Sequence, residues 1–308
     1  MSTTLTMHGD FSGKTPVDRE HTTQPAAPAK DTTMEKTTTP AVASAGTPFA
    51  EILGAALRRA LPPVLGLLLL VGIWYVATLK GGAIPGPVAV WDAATVLFAD
   101  PFYNNGPNDQ GIGWNVLSSL QRVGIGFGLA ALVGIPLGFM LGRFAFLANM
   151  VNPLISLLRP VSPLAWLPIG LLVFQKADPA ATWTIFICSI WPMIMNTAQG
   201  VQRVPQDYLN VARVLDLSEW KIVTKILFPA VLPYMLTGIR LSIGTAWLVI
   251  VAAEMLTGGV GIGFWVWDEW NNLKVEHIII AIFIIGIVGL ILEQALILLA
   301  KKLTKEAA

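Results

Sequence analysis

The sequence predicts an all-α, polytopic membrane protein with six transmembrane helices, on three observations. Hydrophobic residues make up 54% of the 308-residue chain and charged residues only 13%, with a mean hydropathy of +0.65, too apolar for a domain with a wet surface. Apolar runs of about 20 residues recur between residues 61 and 300, the length a helix needs to cross ~30 Å of hydrocarbon. Basic residues also gather in alternate connections. Other classes fall away at once. A net charge of +1 gives no footprint for nucleic acid, and Cys188 is the one cysteine, which excludes an intrachain disulfide framework or a cysteine metal site. Of three histidines, two lie in the first 21 residues, so no metal and no cofactor are expected.

Residues 1–48 are rich in Thr, Pro and Ala without apolar periodicity, the composition of a disordered, cytoplasmic tail. No charged-then-apolar leader is recognisable there, so the tail is expected to be retained. Gly9-Asp-Phe-Ser-Gly13-Lys14-Thr15 imitates a phosphate loop. The motif needs four residues between its glycines, where this stretch has three, and a strand before it. The chain is therefore expected to carry no ATPase of its own.

Residues 49–60 read as an interfacial helix, with Ile52, Leu53, Ala56 and Leu57 on one side and Arg58-Arg59 at its end. The transmembrane domain follows over 61–304, its first span at 61–79. Residues 80–113 are turn-rich, with Gly81-Gly82, Pro85-Gly86-Pro87 and Asn104-Asn105-Gly106-Pro107. The second span, 114–142, holds Gly134-x-x-x-Gly138-x-x-x-Gly142 on one stripe, plus Gly124 and Gly128. Small residues at that spacing let helix backbones approach closely. Packing within the chain is favoured over a seam between subunits. Arg143 marks the aqueous end of this span.

Pro153, Pro160, Pro163 and Pro168 interrupt the next apolar stretch, which reads as a discontinuous third span over 154–175. Backbone groups freed by such breaks are tolerated only against protein or a wet cavity. Arg159 lies beside the break, a candidate for the translocation path or an arginine on the phosphate belt. The fourth span, 179–201, carries Asn196. The fifth, 234–256, carries Arg240 and Glu254, fourteen places apart. These two project from similar faces at opposite ends and could line one conduit. A glycine-rich outer turn over 258–263 leads to Trp265, Trp267 and Trp270, suited to a membrane boundary. The sixth span is 278–300, closed by Lys301-Lys302.

Between the fourth and fifth spans lies the one long polar interruption of the C-terminal half, 203–229. Its pattern is helix, turn, helix. Val211, Val214 and Leu215 fall at i, i+3, i+4 and make one greasy face. Asp216-Leu217 makes the turn, and Ser218 can N-cap a second helix that runs to Pro229. Two helices this short cannot cross a bilayer. Placing this loop inside puts Arg58, Arg59, Arg143, Arg203, Arg213, Lys221, Lys225, Lys301, Lys302 and Lys305 on one side, against Lys80, Lys176 and Lys274 on the other. The positive-inside rule then puts the loop and both termini in the cytoplasm.

The loop resembles the EAA loop of importer permeases of the ATP-binding-cassette (ABC) superfamily, Glu-Ala-Ala, three residues, Gly, nine residues, then Ile-x-Leu-Pro. Asn210-Val211-Ala212 stands at the Glu-Ala-Ala position, Asp216 at the Gly and Ile226-Leu227-Phe228-Pro229 at the end. Asp tolerates the positive φ that the family glycine suits, so the turn is expected to survive. Arg159-Pro-Val-Ser-Pro-Leu-Ala-Trp-Leu-Pro168, Leu236-Thr-Gly-Ile-Arg240 and Ala246-Trp-Leu-Val-Ile-Val-Ala-Ala-Glu254 look like the nitrate/sulfonate/taurine branch. Ile190-Trp-Pro-Met-Ile-Met-Asn-Thr197 and Gly261-Ile-Gly-Phe264 most resemble its nitrate and bicarbonate permease subunits.

The resemblance implies a type I importer transmembrane domain in a bacterial inner membrane. It implies ATP hydrolysis by separate ABC ATPase subunits, a periplasmic or lipid-anchored substrate-binding protein, and a second permease copy, read as a homodimer in membrane lipid. The coupling residues would be Asn210, Val211, Ala212, Arg213, Val214, Leu215, Asp216 and Glu219. The path candidates are Arg159, Asn196, Arg240 and Glu254. Nitrate is the first expectation for cargo, with bicarbonate, cyanate or a sulfonate such as taurine as alternatives. An ion-coupled secondary transporter is disfavoured because no carboxylate lies mid-span. A membrane enzyme is disfavoured for want of a nucleophile–base set.

Overall fold

The computed structural model describes residues 49–107 and 109–306. The expected tail over 1–48, with its imitation phosphate loop, lies outside the described residues. Eleven helices are formed there: α1 Phe49–Thr78, α2 Pro87–Leu97, α3 Ile112–Arg143, α4 Ala145–Leu158, α5 Pro163–Phe174, α6 Ala177–Gln202, α7 Gln206–Val214, α8 Glu219–Ile222, α9 Phe228–Thr257, α10 Ile262–Asn271 and α11 Val275–Glu306, with a π-helical segment, Val223–Leu227, joining α8 to α9. The helix that begins at Phe49 runs without a break into the first span, through Pro62 and Pro63.

By length and apolarity four segments can cross a membrane: Leu61–Thr78, Ile112–Arg143, Glu219–Thr257 and Val275–Lys302. Helices α4 and α5, bent by 100° at their junction, make a fifth if counted as one span. Each is too short to cross alone, at about 21 and 18 Å. The break falls at Ser162, whose extended ψ of 135° is what a following proline imposes. Helix α6 is more polar, yet its 26 residues reach about 39 Å. It packs between α3 and α9 and buries Thr184, Ser189 and Thr197, so it has little need of a lipid-compatible surface. With α6 the count is the predicted six.

The glycine stripe sets how closely α3 lies on α6. A Cβ on Gly138 would stand 2.6 Å from Thr197 Cβ, and one on Gly142 2.5 Å from Val201 Cβ. Gly124 and Gly128 instead have nothing within 4 Å. These contacts run in step along both helices, so α3 and α6 are parallel. Helix α9 is antiparallel to α6, since Gly200 meets Tyr234 and Gly238 meets Pro192. Helix α11 returns antiparallel to α9, with Trp247 Nε1 donating to the Ile285 carbonyl at 2.9 Å. The C-termini of α3, α6 and α11, the N-terminus of α9 and the α7–α8 hairpin thereby share one pole. The starts of α3 and α6, the end of α9 and helix α10 share the other.

At Pro229 the structure departs from expectation. Helix continues through it from α8 into α9, because the π turn lies immediately before. A proline lacks an N–H and crowds the carbonyl of the preceding turn, and a wider turn accommodates that locally.

Candidate functional site

The α7–α8 hairpin is rooted in a core at its pole. Leu209, Ala212, Ile222 and Leu227 pack with Phe139 of α3, Val201 of α6 and Val231 of α9. Leu209 and Ala212, three apart, make the buried side of α7. Its other side carries Val211, Val214 and Leu215, which are 58%, 86% and 63% exposed. Helix α7 is thus apolar on two faces, one anchored and one bare.

Asp216 stands in the left-handed region with φ of +48°. The Leu217 N–H donates to the Ala212 carbonyl and the Asp216 N–H to that of Arg213, each at 3.0 Å. Those bonds are a Schellman closure, in which the left-handed position is usually glycine. Ser218 occupies the N-cap position of α8 without a side-chain capping bond. Glu219 is gripped across the pole by Arg143, with Nη2–Oε1 at 2.8 Å and Nε–Oε2 at 3.1 Å, a bidentate pair of the geometrically specific kind. Arg213 reaches Asn210 Oδ1 at 3.3 Å. Beside the hairpin an apolar groove of about 550 Å³ runs between Phe139 and Trp220.

At the opposite pole Glu254 is 1% exposed and anchors the turn between α9 and α10. It accepts bonds from Ser119 Oγ (2.7 and 2.9 Å), Arg122 Nη1 (2.6 Å) and the Gly263 N–H (3.0 Å). Arg122 also pairs with Asp178 at the start of α6, Nη2–Oδ1 2.7 Å, and donates to the Val260 carbonyl at 2.7 Å. Asn115 and Ser119 accept the Gly261 and Ile262 N–H groups at 2.9 Å. The turn fits so tightly that a Cβ on Gly263 would lie 2.1 Å from the Val251 carbonyl oxygen. Here α3, α6 and α9 are tied by one arginine.

The structure does not gather the path candidates. Arg159 is exposed at the bend between α4 and α5, where it is the C-cap residue of α4. Asn196 is half-buried under Gly238 and donates to the Pro192 carbonyl at 2.8 Å. Arg240 pairs with Glu293 across α9 and α11, its Nε 2.9 Å from Oε1. Sequence reasoning missed Arg143 as the holder of Glu219 and Ser119 as a partner of Glu254. A signal for the second exists: Asn115, Ser119 and Arg122 recur at i, i+4, i+7, a polar stripe on an otherwise apolar helix.

Two solved transporters share this fold. The transmembrane chain of the MetNI methionine ABC transporter in inward-facing conformations superposes with a TM-score of 0.52 at 14% identity, covering 63% of this chain and 94% of that one. An amino acid ABC transporter with histidines gives 0.51 at 14% identity over 72% and 100%. At that identity the likeness is one of fold: an ABC importer transmembrane domain. The family described as binding-protein-dependent transport system inner membrane component matches residues 134–305, and the chain belongs to it. The nitrate import permease protein NrtB of Leptolyngbya laminosa is 44% identical over 83% of this chain and 91% of its own length. NrtB of Synechocystis sp. is 46% identical over 77% and 86%, and the bicarbonate transport system permease protein CmpB of that organism 45% over 78% and 88%. The chain is accordingly a transport subunit of the inner membrane and not an enzyme. The family works with ATPases and a substrate-binding protein around paired transmembrane domains.

Proposed function

We propose that this permease subunit imports nitrate, driven by separate ATPase subunits that seat on the bare face of α7. The observation that carries the coupling is the two-sided helix: Val211, Val214 and Leu215 exposed on an element whose other side is locked to α3, α6 and α9. An exposed apolar ridge marks an interaction site. The rooted face would pass any push on the ridge to the spans, rocking them from inward-open to outward-open. Asn210, Arg213 and Asp216 would form the polar rim around Val211, Val214 and Leu215. Ala212 belongs to the root, and Glu219 braces the hairpin through Arg143. The pole that holds the hairpin also holds Arg143, Arg203, Lys221, Lys225, Lys301 and Lys302. That supports a cytoplasmic loop and cytoplasmic termini, with the transmembrane domain over 61–304.

For cargo, the relatives named for nitrate support nitrate, and CmpB at nearly equal identity makes bicarbonate the second reading. Both are small oxyanions. The binding protein would do most of the selecting, and two copies of this chain would enclose the path. Among the candidates for that path, Arg240 is the exposed one in a long helix, while Glu254 is enclosed. Labelled nitrate and bicarbonate uptake by a strain lacking this chain tests the cargo, nitrate uptake being the one expected to fall. Val211→Asp or Leu215→Asp tests the coupling, because burying a carboxylate in an apolar seat is costly. Uptake should drop more than about tenfold, the equivalent of ~1.4 kcal/mol, with membrane insertion intact. Undiminished uptake in both variants would refute the ridge.

A further inference from the structure

The two ion pairs that α9 makes with other long helices differ in access. Arg122 and Glu254 have side chains only 12% and 1% exposed. Arg240 and Glu293 are 53% and 43% exposed. Arg240 sits about 18 Å along α9 from Phe228 at 1.5 Å per residue, well inside the span, and its bond to Glu293 puts that carboxylate at the same depth, where the sequence predicts none. Charged groups at such depth face water or protein, not acyl chains. The face that bears this pair therefore meets water or another protein surface.

We propose that Glu293 is a specificity-determining residue of the translocation path, a resident carboxylate that occupies Arg240 until the cargo anion displaces it. The inference rests on reading this chain as an anion permease. Glu293 engages Nε and Nη2 of Arg240 through the single oxygen Oε1. That leaves the other edge of the guanidinium, through Nη1, outside the pair. A carboxylate and a small planar oxyanion offer the same negative O–X–O edge to the same fork of N–H donors. A groove of about 310 Å³ runs from Arg240 past Thr237 and Leu296 toward Lys301, that is, toward the pole of the α7–α8 hairpin. An anion leaving Arg240 has this way out. A lone arginine would hold an anion too well for transport, since passage needs binding strong enough to enter and weak enough to leave. The returning carboxylate supplies the release.

The experiment uses the complete importer, with its ATPase and binding protein, in phosphatidylcholine nanodiscs so that no anionic headgroup competes. Equilibrium binding and turnover are read with labelled nitrate, bicarbonate, sulfate and taurine. Glu293→Gln should bind the cargo anion about tenfold tighter and turn over correspondingly slower. Arg240→Gln should lose binding, and Arg240→Lys, which keeps charge but not the fork, should fall between. This opposition of sign belongs to an exchangeable site. If the pair is only a strut, both neutral variants move binding the same way or not at all, for every anion, and the inference falls. Opposite signs with bicarbonate instead of nitrate would uphold it while moving the cargo. Should Arg240→Gln fail to assemble, Glu293→Gln decides alone: tighter binding supports the proposal, unchanged or weaker binding overturns it.

Discussion

Asp216 departs from the glycine of the loop pattern this hairpin resembles and still takes a conformation that suits glycine. Its left-handed φ is the one a glycine would take without strain, and the two Schellman bonds hold it there. Asp216→Gly should therefore keep the turn and raise stability by up to about 1 kcal/mol, read as a higher midpoint of thermal unfolding in detergent. A fall in that midpoint would mean the side chain supports the turn. Glu254 is the opposite case, an enclosed carboxylate that accepts from Ser119, Arg122 and Gly263 at once. Glu254→Ala leaves the largely enclosed Arg122 with only the exposed Asp178 as a carboxylate partner and should cost about 3–5 kcal/mol. Asp178→Ala removes the arm that is 73% exposed and should cost no more than about 1 kcal/mol. Equal losses would contradict the division between a buried strut and an exposed arm. Position in the chain showed Glu254 as a charge near a span end. It could not show the strut, which exists only once α3 and α9 meet 135 residues apart.

Among the elements, α3 and α6 carry the packing. A spacing of four between glycines is readable in a sequence because it is the period of a helix face, so the stripe from Gly134 to Gly142 was legible. The stripe lies on α6 of the same chain, while Gly124 and Gly128 look outward. Gly138→Val should strain the α3–α6 contact, overpacking of this kind costing typically about 1–3 kcal/mol. Gly128→Val should leave the folded monomer's stability unchanged. Detergent unfolding midpoints compare the two, and a larger loss at Gly128 would contradict the packing. Less of the other elements was legible. Proline at 229 reads as a stop in any local rule, yet the π turn before it lets helix run on into α9. The 100° bend between α4 and α5 was foreseen as a kink only, because proline marks where a helix weakens without saying how far the chain then turns. Helix α6 was legible as the fourth span, 179–201, but what covers its polar residues Thr184, Ser189 and Thr197 was not, because only the fold supplies those neighbours.

At the scale of the whole molecule, two poles divide the labour. One holds the rooted hairpin with a cluster of basic residues, the other a buried charge network under a glycine turn, and α3, α6 and α9 join them. The central claim is that the bare ridge of α7 faces the cytoplasm and is gripped there by an ATPase. Cys188 is the one cysteine and is buried, so a single new thiol reports cleanly. The most direct measurement places Val214→Cys in the assembled importer and treats sealed, right-side-out cells and inside-out vesicles with an impermeant thiol cross-linker. The account predicts no reaction in cells and, in vesicles, a covalent adduct with the ATPase subunit whose yield changes with bound ATP. A thiol reactive from outside the cell, or an adduct with no nucleotide-binding chain in either preparation, would contradict it.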